Sequence, residues 1–311
     1  MTSYDALLVV SFGGPEKPDD VLPFLENVTR GRNVPRERLL EVAEHYHRFG
    51  GVSPINAQNR ELIAAVGEGF GLPIYWGNRN WHPLLEDTLR QMAADGVRRA
   101  AAFITAAYCS WSSCRQYLDA IEAARAAVGP GAPEIVPLRH YHDHPGFVEA
   151  NADRVRDALA SLPEDARGEA RLVFTAHSIP VSMAGKSPYE AQLRETAALV
   201  AAAVGGDRPY DLVWQSRSGP PHIPWLEPDV LDHLEALHAA GTRAVVVAPI
   251  GFVSDHMEVV YDLDEEAAAL AAKLGMAFAR AGTAGTHPAF VRMVRDLAAE
   301  PEPAPHAAPA E

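Results

Sequence analysis

The sequence predicts an α/β protein with two similar halves, each a parallel sheet covered by helices, and with the two sheets facing a shared cleft. Short apolar runs rich in Val, Leu and Ala recur along the chain, which is typical of buried parallel strands. Segments of helical length separate these runs, as in doubly wound folds. The alternation pauses near residue 143 and then starts again, which indicates two units of comparable size.

The first half is predicted to contain four strands, at residues 7–10, 73–76, 100–105 and 135–138. Its helices are expected at residues 19–28, 36–49, 84–95 and about 109–128, with a further one from Pro54 onward. Gly13 and Gly14 follow the first strand, where glycine lets the backbone turn tightly and come close to a ligand. Because no GxGxxG pattern follows this strand, the sequence does not indicate a dinucleotide site.

The second half repeats the pattern, with strands expected at residues 171–177, 211–215, 245–247 and 276–279. Its helices are expected at residues 145–161, 189–204, 229–240 and 288–300, and from Ser254 or Asp255 to about 274. A loop is predicted over residues 181–188. Residues 301–311 are rich in Pro and Ala and are expected to form a disordered tail.

The composition of the chain limits the classes of molecule that it is expected to bind. Of the 311 residues, 48% are hydrophobic and 22% are charged, which is ordinary for a globular protein. The formal net charge of −14 argues against nucleic acid or an anionic membrane as a partner, and it is compatible with attracting cations. The N-terminus lacks the pattern of a signal peptide, and no run approaches the ~18 apolar residues of a transmembrane helix, so we expect no integral membrane segment and a cytoplasmic location.

Three carboxylates follow the third strand of the second half at intervals of four residues: Glu258, Asp262 and Glu266. In an α-helix four residues advance the chain by about 400°, so these side chains form one stripe. Like charges at this spacing destabilise a helix by roughly a few tenths of a kcal/mol unless a cation offsets them. The stripe therefore indicates either a cation site or a solvated acidic face.

His177 ends the first strand of the second half, and Glu258 comes shortly after the third strand. In open α/β sheets, ligands bind outside the carboxyl ends of the strands. A lone histidine at such a position is as often structural as functional. A His and a Glu at equivalent points of neighbouring strands are less often accidental, and together they favour a metal site.

Other polar segments have two interpretations each. Ser53 precedes a helix, where its hydroxyl can cap that helix or bind an anion. Arg79 and Trp81 lie in a polar loop that can form the wall of a site or simply pack one ring. The alternating histidines from His140 to His144 are interpreted as surface residues that lead into a helix, and not as metal ligands.

Seven short motifs occur in an order and spacing that resemble the ferrochelatase family, from residue 4 to about 300. They are SFGGPE (11–16), RGR (30–32), GGVSP (50–54), GNRNW (77–81), TAHSIP (175–180), QSRSG (215–219) and GFVSDHME (251–258). The resemblance implies a class II chelatase fold, in which two Rossmann-like domains grip a porphyrin and Fe²⁺ is inserted into it. It places these domains at residues 1–143 and 144–286, the second carrying the metal pair, and a terminal helix that packs back on the first domain at residues 287–300.

The GNRNW motif looks like that of the actinobacterial branch of the family, which uses coproporphyrin III, a soluble porphyrin with four carboxylates. The resemblance thus implies a lyase of haem synthesis with coproporphyrin III and Fe²⁺ as substrates, and transfer of the product to a downstream haem-pathway enzyme. Alternatives are a protoporphyrin IX ferrochelatase and a cobalt or nickel chelatase of a sirohydrochlorin-type ring. A two-lobed ligand-binding protein of the periplasmic type is the non-enzymatic alternative, and the acidic stripe argues against it.

Carried over residue by residue, the resemblance implies that His177 and Glu258 are the catalytic pair that binds the metal. Asp262 and Glu266 match an acidic line along which cations or protons pass. We expect His177 to be neutral near pH 7, so that it can accept a pyrrole proton or bind the metal.

On the porphyrin side, the resemblance matches Ser53 and Tyr117 to residues that contact propionates, and it matches Tyr46 to a tyrosine of some relatives. Phe12 stands where some relatives have a tyrosine that ligates iron, so it is expected only to pack against the macrocycle. Thr29 replaces a propionate-binding arginine of some relatives, so that contact is not carried over to this chain.

Many actinobacterial relatives hold a [2Fe–2S] cluster with one central cysteine and three near the C-terminus. Cys114 matches the central one, and the only other cysteine of this sequence is Cys109. Two cysteines make neither a disulfide framework nor the four ligands that a cluster needs. We therefore expect no [2Fe–2S] cluster and no resident cofactor besides the substrate iron.

Overall fold

Two parallel four-stranded sheets organise the chain, and each belongs to its own compact unit. The computed structural model describes residues 4–32, 34–220 and 222–301. Of these, the first unit comprises residues 4–106, 114–139 and 294–301. The second unit comprises residues 107–113 and 140–293. The predicted α/β class is confirmed, whereas the predicted disordered tail lies outside the described residues from residue 302 onward.

The strands of the first unit are β1 (Ala6–Ser11), β2 (Ile74–Asn78), β3 (Arg99–Ile104) and β4 (Glu134–Pro137). Its helices are α1 (Val21–Val28), α2 (Arg36–Arg48), α3 (Ile55–Gly67), α4 (Leu85–Ala94) and α5 (Gln116–Val128). A 3₁₀ turn, Pro18–Asp20, precedes α1, and a π-helical segment, Trp111–Arg115, precedes α5. The sheet order is β2-β1-β3-β4, and all pairs are parallel.

The central strand of this sheet, β1, is buried along its whole length. Leu8 and Val10 on one of its faces share a core with Leu89 of α4 and Ile121 of α5. A strand covered on both faces has no polar side, so its sequence is a continuous apolar run and not an alternating one. This is why the sequence indicated the strand directly.

The strands of the second unit are β5 (Arg171–His177), β6 (Tyr210–Gln215), β7 (Ala244–Ala248) and β8 (Ala277–Arg280). The helices up to β7 are α6 (Pro145–Ser161), α7 (Glu164–Arg167), α8 (Val181–Ala184), α9 (Tyr189–Val204) and α10 (Val230–Ala239). After β7 come α11 (Met257–Val259), a π-helical segment (Val260–Ala267), α12 (Ala268–Leu274) and α13 (Pro288–Ala299). The segment predicted as a loop over residues 181–188 thus starts with one helical turn, α8.

The second sheet has the order β6-β5-β7-β8, which repeats the order of the first. In both sheets the chain runs first to one side of the leading strand and then to the other. The direction reverses between β1 and β3, and again between β5 and β7. Ligands of open parallel sheets bind at the carboxyl ends of the strands beside such a reversal. The segments that follow these four strands are therefore the first places to look for a site.

The sequence predicts Ser254 or Asp255 as the N-cap of the helix after β7, but this helix begins at Met257. His256 is its N-cap, and the imidazole Nδ1 accepts a hydrogen bond from the backbone N–H of Glu258 at 3.2 Å. The helix then adopts π geometry over Val260–Ala267, where hydrogen bonds span five residues. The α-helical geometry expected over this segment is therefore wrong, although Glu258 and Glu266 still lie near enough for their charges to act on Asp262.

The last helix, α13, carries residues of both units, and its C-terminal part contacts the first unit. The Arg295 guanidinium donates to the carbonyls of Ala65 and Val66 at the end of α3, at 2.6 and 3.1 Å. Glu300 accepts two hydrogen bonds from Arg139, at 2.8 and 3.0 Å. These contacts attach the end of the described chain to the helices and loops around the first sheet.

Within the part of the chain that the structure describes, no helix combines the length and the apolar character needed to span a bilayer.

Candidate active site

His177 is the last residue of β5, and hydrogen bonds hold the chain around it. The Ser178 N–H donates to the Gln215 carbonyl at 2.8 Å, which extends the pairing of β5 with β6 by one residue. The Tyr189 hydroxyl donates to the His177 carbonyl at 3.0 Å. Since the imidazole Nδ1 donates to the Ser178 carbonyl, the other ring nitrogen, Nε2, is left for chemistry.

A glycine brings the segment after β7 close to β5. The Gly251 N–H donates to the Thr175 carbonyl at 3.0 Å, and a Cβ atom on this glycine would lie 2.6 Å from the Cβ atom of Ala176. No other residue fits such a contact without displacing the chain. The loop that leads to Glu258 therefore runs against the end of the strand that carries His177.

The two residues predicted as the metal pair lie together. His177 Nε2 is 3.5 Å from Glu258 Oε1, and the side chains are 29% and 48% exposed. Metal bonds of about 2.1 Å, as in zinc sites, that meet at a tetrahedral angle place their ligand atoms roughly 3.4 Å apart. The observed separation thus suits two ligands of one small cation, and the exposure leaves the pair accessible.

The pair is ionic in the absence of iron. Burial alone opposes protonation of the imidazole, but the nearby charge of Glu258 outweighs it and raises the pKa of His177 to about 9. Burial likewise raises the pKa of Glu258, but the charge of His177 outweighs it, so the carboxyl pKa falls below its ordinary value. The neutral His177 expected from the sequence is therefore wrong for the iron-free protein, in which the imidazole carries a proton at pH 7.

Asp262 lies four residues after Glu258 and is partly buried. It accepts a hydrogen bond from the Ser216 hydroxyl and a longer one, at 3.4 Å, from Gln215 Nε2. Burial raises the pKa of Asp262 to about 7, and the charges of Glu258 and Glu266 add to this, while the Ser216 hydrogen bond opposes it. Asp262 can therefore take up and release a proton at neutral pH. Glu266 is exposed and lies at the outer end of the acidic line.

Sequence reasoning missed the residues that hold Asp262 in place. Ser216 has a φ of 61°, a left-handed conformation that non-glycine residues adopt rarely and at an energetic cost. Among the described residues it is the one non-glycine residue with a positive φ. This backbone conformation accompanies the contact between its hydroxyl and Asp262. The QSRSG motif contains both Gln215 and Ser216, but a motif does not show which side chain they contact.

Arg280, at the end of β8, forms ion pairs with one residue before Glu258 and one residue after it in the sequence. Its guanidinium is 3.0 Å from an oxygen of Asp255 and 2.7 Å from an oxygen of Asp264. Arg280 and Asp255 are largely buried, and Asp264 is 35% exposed. Because Glu258 lies between the two aspartates in the sequence, this clamp limits how far its backbone can move.

Replacing Arg280 by Gln should lower the free energy of unfolding by about 3 kcal/mol, because two partly buried carboxylates lose their counter-charge. Urea denaturation at pH 7 measures the change. Arg90→Gln is the matched control, since Arg90 also contacts two carboxylates, of Glu86 and Asp87, but is half exposed. The control should change the free energy by less than about 1 kcal/mol. Equal losses for the two variants would contradict a special role for the Arg280 clamp.

In the first unit, the buried Phe24 gathers three of the aromatic residues that the sequence singled out. The ring centroids of Phe12, Tyr46 and Trp81 lie 6.2, 6.0 and 6.1 Å from that of Phe24, all near edge-to-face. Phe24 itself was missed, although it lies on the apolar face of α1. Three segments that are distant in sequence thus contact the same residue of α1.

Ser53 is buried and does not cap α3. That helix begins at Ile55 with Pro54 as its N-cap, and no described residue forms a hydrogen bond with the Ser53 hydroxyl. The capping interpretation is therefore wrong, and the contact with a porphyrin propionate stays a prediction. Tyr117 is buried at the start of α5, and the Arg79 guanidinium lies 4.8 Å from the centre of its ring.

Comparison with known proteins identifies the family that this chain matches. A family model for ferrochelatase matches residues 4–302. A coproporphyrin III ferrochelatase from Mycolicibacterium smegmatis is 61% identical over 303 residues, which cover 95% of this chain and 89% of that protein. One from Nocardia farcinica is 59% identical over 309 residues, which cover 95% of this chain and 88% of that protein.

Among solved structures, SirB from Bacillus subtilis with Fe³⁺ matches with a TM-score of 0.60 and 14% identity over 96% of each chain. CbiX, described as the terminal enzyme for biosynthesis of siroheme in denitrifying bacteria, matches with a TM-score of 0.51 and 14% identity, over 94% of this chain and 97% of that one. At such identities the likeness concerns the fold alone, and it confirms the predicted chelatase fold. With its family model and relatives matched over nearly the whole chain, the protein belongs to the ferrochelatase family.

Proposed function

We propose that this protein inserts Fe²⁺ into coproporphyrin III to give Fe-coproporphyrin in haem synthesis. The observation that carries the proposal is the accessible pair of His177 and Glu258, 3.5 Å apart at the carboxyl ends of β5 and β7. The names of relatives at 57–61% identity support coproporphyrin III as the porphyrin. We also propose a cytoplasmic location and delivery of the product to a downstream enzyme of haem synthesis.

The proposed reaction exchanges one cation for two protons. Imidazole and carboxylate both suit Fe²⁺ as ligands, and metal binding requires the neutral imidazole, so the arriving iron displaces the proton on His177. The two pyrrole N–H groups of the porphyrin then lose their protons as iron enters the ring. His177 and Glu258 accept these protons, because neither side chain carries a proton at the moment when the iron leaves them for the ring.

Asp262 is proposed to carry the released protons onward. Its pKa of about 7 lets it receive a proton from the pair and pass it toward the exposed Glu266 and water. Burial is the main reason for this pKa, because the charged carboxylate loses hydration. The hydrogen bond from Ser216 orients the carboxyl group without fully compensating this loss.

Anaerobic incubation of the protein with Fe²⁺ and coproporphyrin III tests the proposal directly. We expect the free-base spectrum to convert to that of the iron porphyrin, at a rate well above that of the same mixture without protein. Protoporphyrin IX with Fe²⁺ and sirohydrochlorin with Co²⁺ should react more slowly. Faster metalation of either alternative would overturn the assignment of coproporphyrin III, and no metalation of any ring would overturn the proposed activity.

The residues present do not fit a [2Fe–2S] cluster with four cysteine ligands, and we propose that the chain holds none. The sequence has two cysteines, Cys109 and Cys114, and both are buried and not joined in a disulfide. The purified protein should therefore lack the visible absorption of such a cluster, and Cys114→Ser should leave its spectrum unchanged. Inorganic sulfide in the purified protein would contradict this proposal.

A further inference from the structure

The backbone of Arg79 is fixed at the carboxyl edge of the first sheet. Its N–H donates to the Ser11 carbonyl at 2.9 Å, and the N–H of Asn80 donates to the Phe12 carbonyl at 3.1 Å. These bonds continue the pairing of β2 with β1 beyond the end of β2. Arg79 therefore stands at the carboxyl end of β1, one of the two strands between which the strand order reverses, and ligands of such sheets bind at this edge.

Two aromatic rings hold the Arg79 side chain. The guanidinium carbon lies 4.8 Å from the ring centroid of Tyr117 and 5.8 Å from that of Phe12. One guanidinium nitrogen donates to Oε1 of Gln116 at 3.0 Å, which is a neutral acceptor. A guanidinium has five N–H donors in a planar fork, so this arrangement leaves donors for a further acceptor.

Among the residues that the structure describes, no carboxylate oxygen lies within 4.0 Å of the Arg79 guanidinium, and Asp119 acts on it only from a greater distance. Two other arginines of the same unit also lie over aromatic rings, but each is paired with a carboxylate. Arg60 contacts Glu16 at 2.6 Å, and Arg99 contacts Glu134 at 2.9 Å. An anion beside Arg79 would give it the pairing that the other two already have.

The surroundings of Arg79 also favour an anionic ligand. Burial lowers the pKa of its guanidinium, and the charge of Arg32 adds to this, whereas Tyr117 and the charge of Asp119 oppose it. The net direction is downward, so a negative charge placed beside the guanidinium would offset the effect of burial. The hydroxyl of Thr29 donates to the Leu25 carbonyl at 2.7 Å, at the end of its own helix, so it is engaged within the protein. Arg79 is thus better placed than Thr29 to receive a carboxylate.

We propose that Arg79 binds one carboxylate of the tetrapyrrole, with its guanidinium held between Phe12 and Tyr117. The inference rests on the proposed function and deepens it, because it names the residue that recognises a negatively charged substituent of the ring. Guanidinium and carboxylate match in a bidentate arrangement, which lysine cannot reproduce. Arg79 thereby favours porphyrins that carry a carboxylate at this position over neutral ones.

Fluorescence quenching of iron-free coproporphyrin III, without added iron, measures binding apart from metalation. Arg79→Gln should raise Kd about 10–100-fold, the effect of losing a hydrogen-bonded charge pair. Arg79→Lys should give an intermediate Kd, since it keeps the charge but not the fork. With the tetramethyl ester of coproporphyrin III in dilute detergent, Arg79→Gln and Arg79→Lys should bind like the wild type, because the ester has no carboxylate to lose.

Arg99→Gln is the matched control, because Arg99 has the same contact with a ring but lies at the opposite edge of the sheet, where β3 begins. It should bind coproporphyrin III like the wild type. Equal Kd values for Arg79→Gln and the wild type would overturn this inference and leave the proposed function intact. If the wild type itself neither binds nor metalates coproporphyrin III, both fail. Should Arg79→Gln not fold, Arg79→Lys compared on the acid and the ester decides the question.

Discussion

Replacing His177 by alanine should lower kcat/KM for iron insertion by about 10²–10⁴-fold, the usual effect of removing a group that transfers protons in the rate-limiting step. The imidazole is one of the two side chains proposed to hold the iron, and its loss removes one partner of the pair with Glu258. Porphyrin binding should change little, since the ring substituents are recognised elsewhere. Stopped-flow metalation and fluorescence titration measure the two quantities separately.

His142→Ala is the control for this experiment. His142 Nε2 also faces a carboxylate, that of Glu195 at 3.1 Å, and it belongs to the same unit. It does not follow any strand of the second sheet, so its removal should leave iron insertion within about 2-fold of the wild type. A His177→Ala enzyme that kept near-normal insertion would refute the assignment of the metal pair.

Glu258→Gln should lower turnover by a similar factor of about 10²–10⁴ and should also change its pH dependence. In the wild type, Glu258 raises the pKa of His177 to about 9, so iron competes with a bound proton at neutral pH. Insertion should therefore become faster as the pH rises from 7 toward 9. Without the carboxylate the pKa of His177 falls, and this rise should move to lower pH.

The same pKa predicts how the pair affects folding. The pKa of His177 is higher in the folded protein than its ordinary 6.5, and that of Glu258 is lower than its ordinary 4.5, so the pair stabilises the fold fully between pH 4.5 and 6.5. That contribution is lost as the pH rises through about 9. NMR titration of the His177 imidazole follows the pKa directly in the wild type and in Glu258→Gln. Glu195→Gln, which alters the remote His142 pair, should leave this titration unchanged, and an identical pKa in Glu258→Gln would exclude the proposed coupling.

The fold could be predicted from the sequence because central strands such as β1 and β7 are buried on both faces. The run that forms β7, with Val245 and Val247 at its centre, is apolar throughout and is flanked by Gly and Pro, so it could be recognised without a partner strand. Helix starts were harder to predict. The choice between Ser254, Asp255 and His256 as N-cap depends on how the loop after β7 meets β5, and no local pattern records that.

The candidate pair could be predicted for a related reason. His177 and Glu258 each follow the end of a strand, and parallel strands that are neighbours in a sheet bring their carboxyl ends to one edge. The cluster of Phe12, Tyr117 and Arg79 could be only partly anticipated. The family resemblance identified the two rings. The position of Arg79 between them, with no carboxylate of the described residues in contact, depends on contacts among three segments that are distant in the chain.

The sequence by itself determined the order of strands and helices, the family, and the two residues proposed to handle the iron, because apolar periodicity and motif spacing are local properties. Only the tertiary structure decided that His177 is charged before iron arrives, that the acidic segment is a π-helix, and that Arg79 lies between two aromatic rings. These properties depend on distances and burial, which arise when segments far apart in the chain are packed together. Packing, and not residue identity, therefore sets the charge state and the available donors of this site.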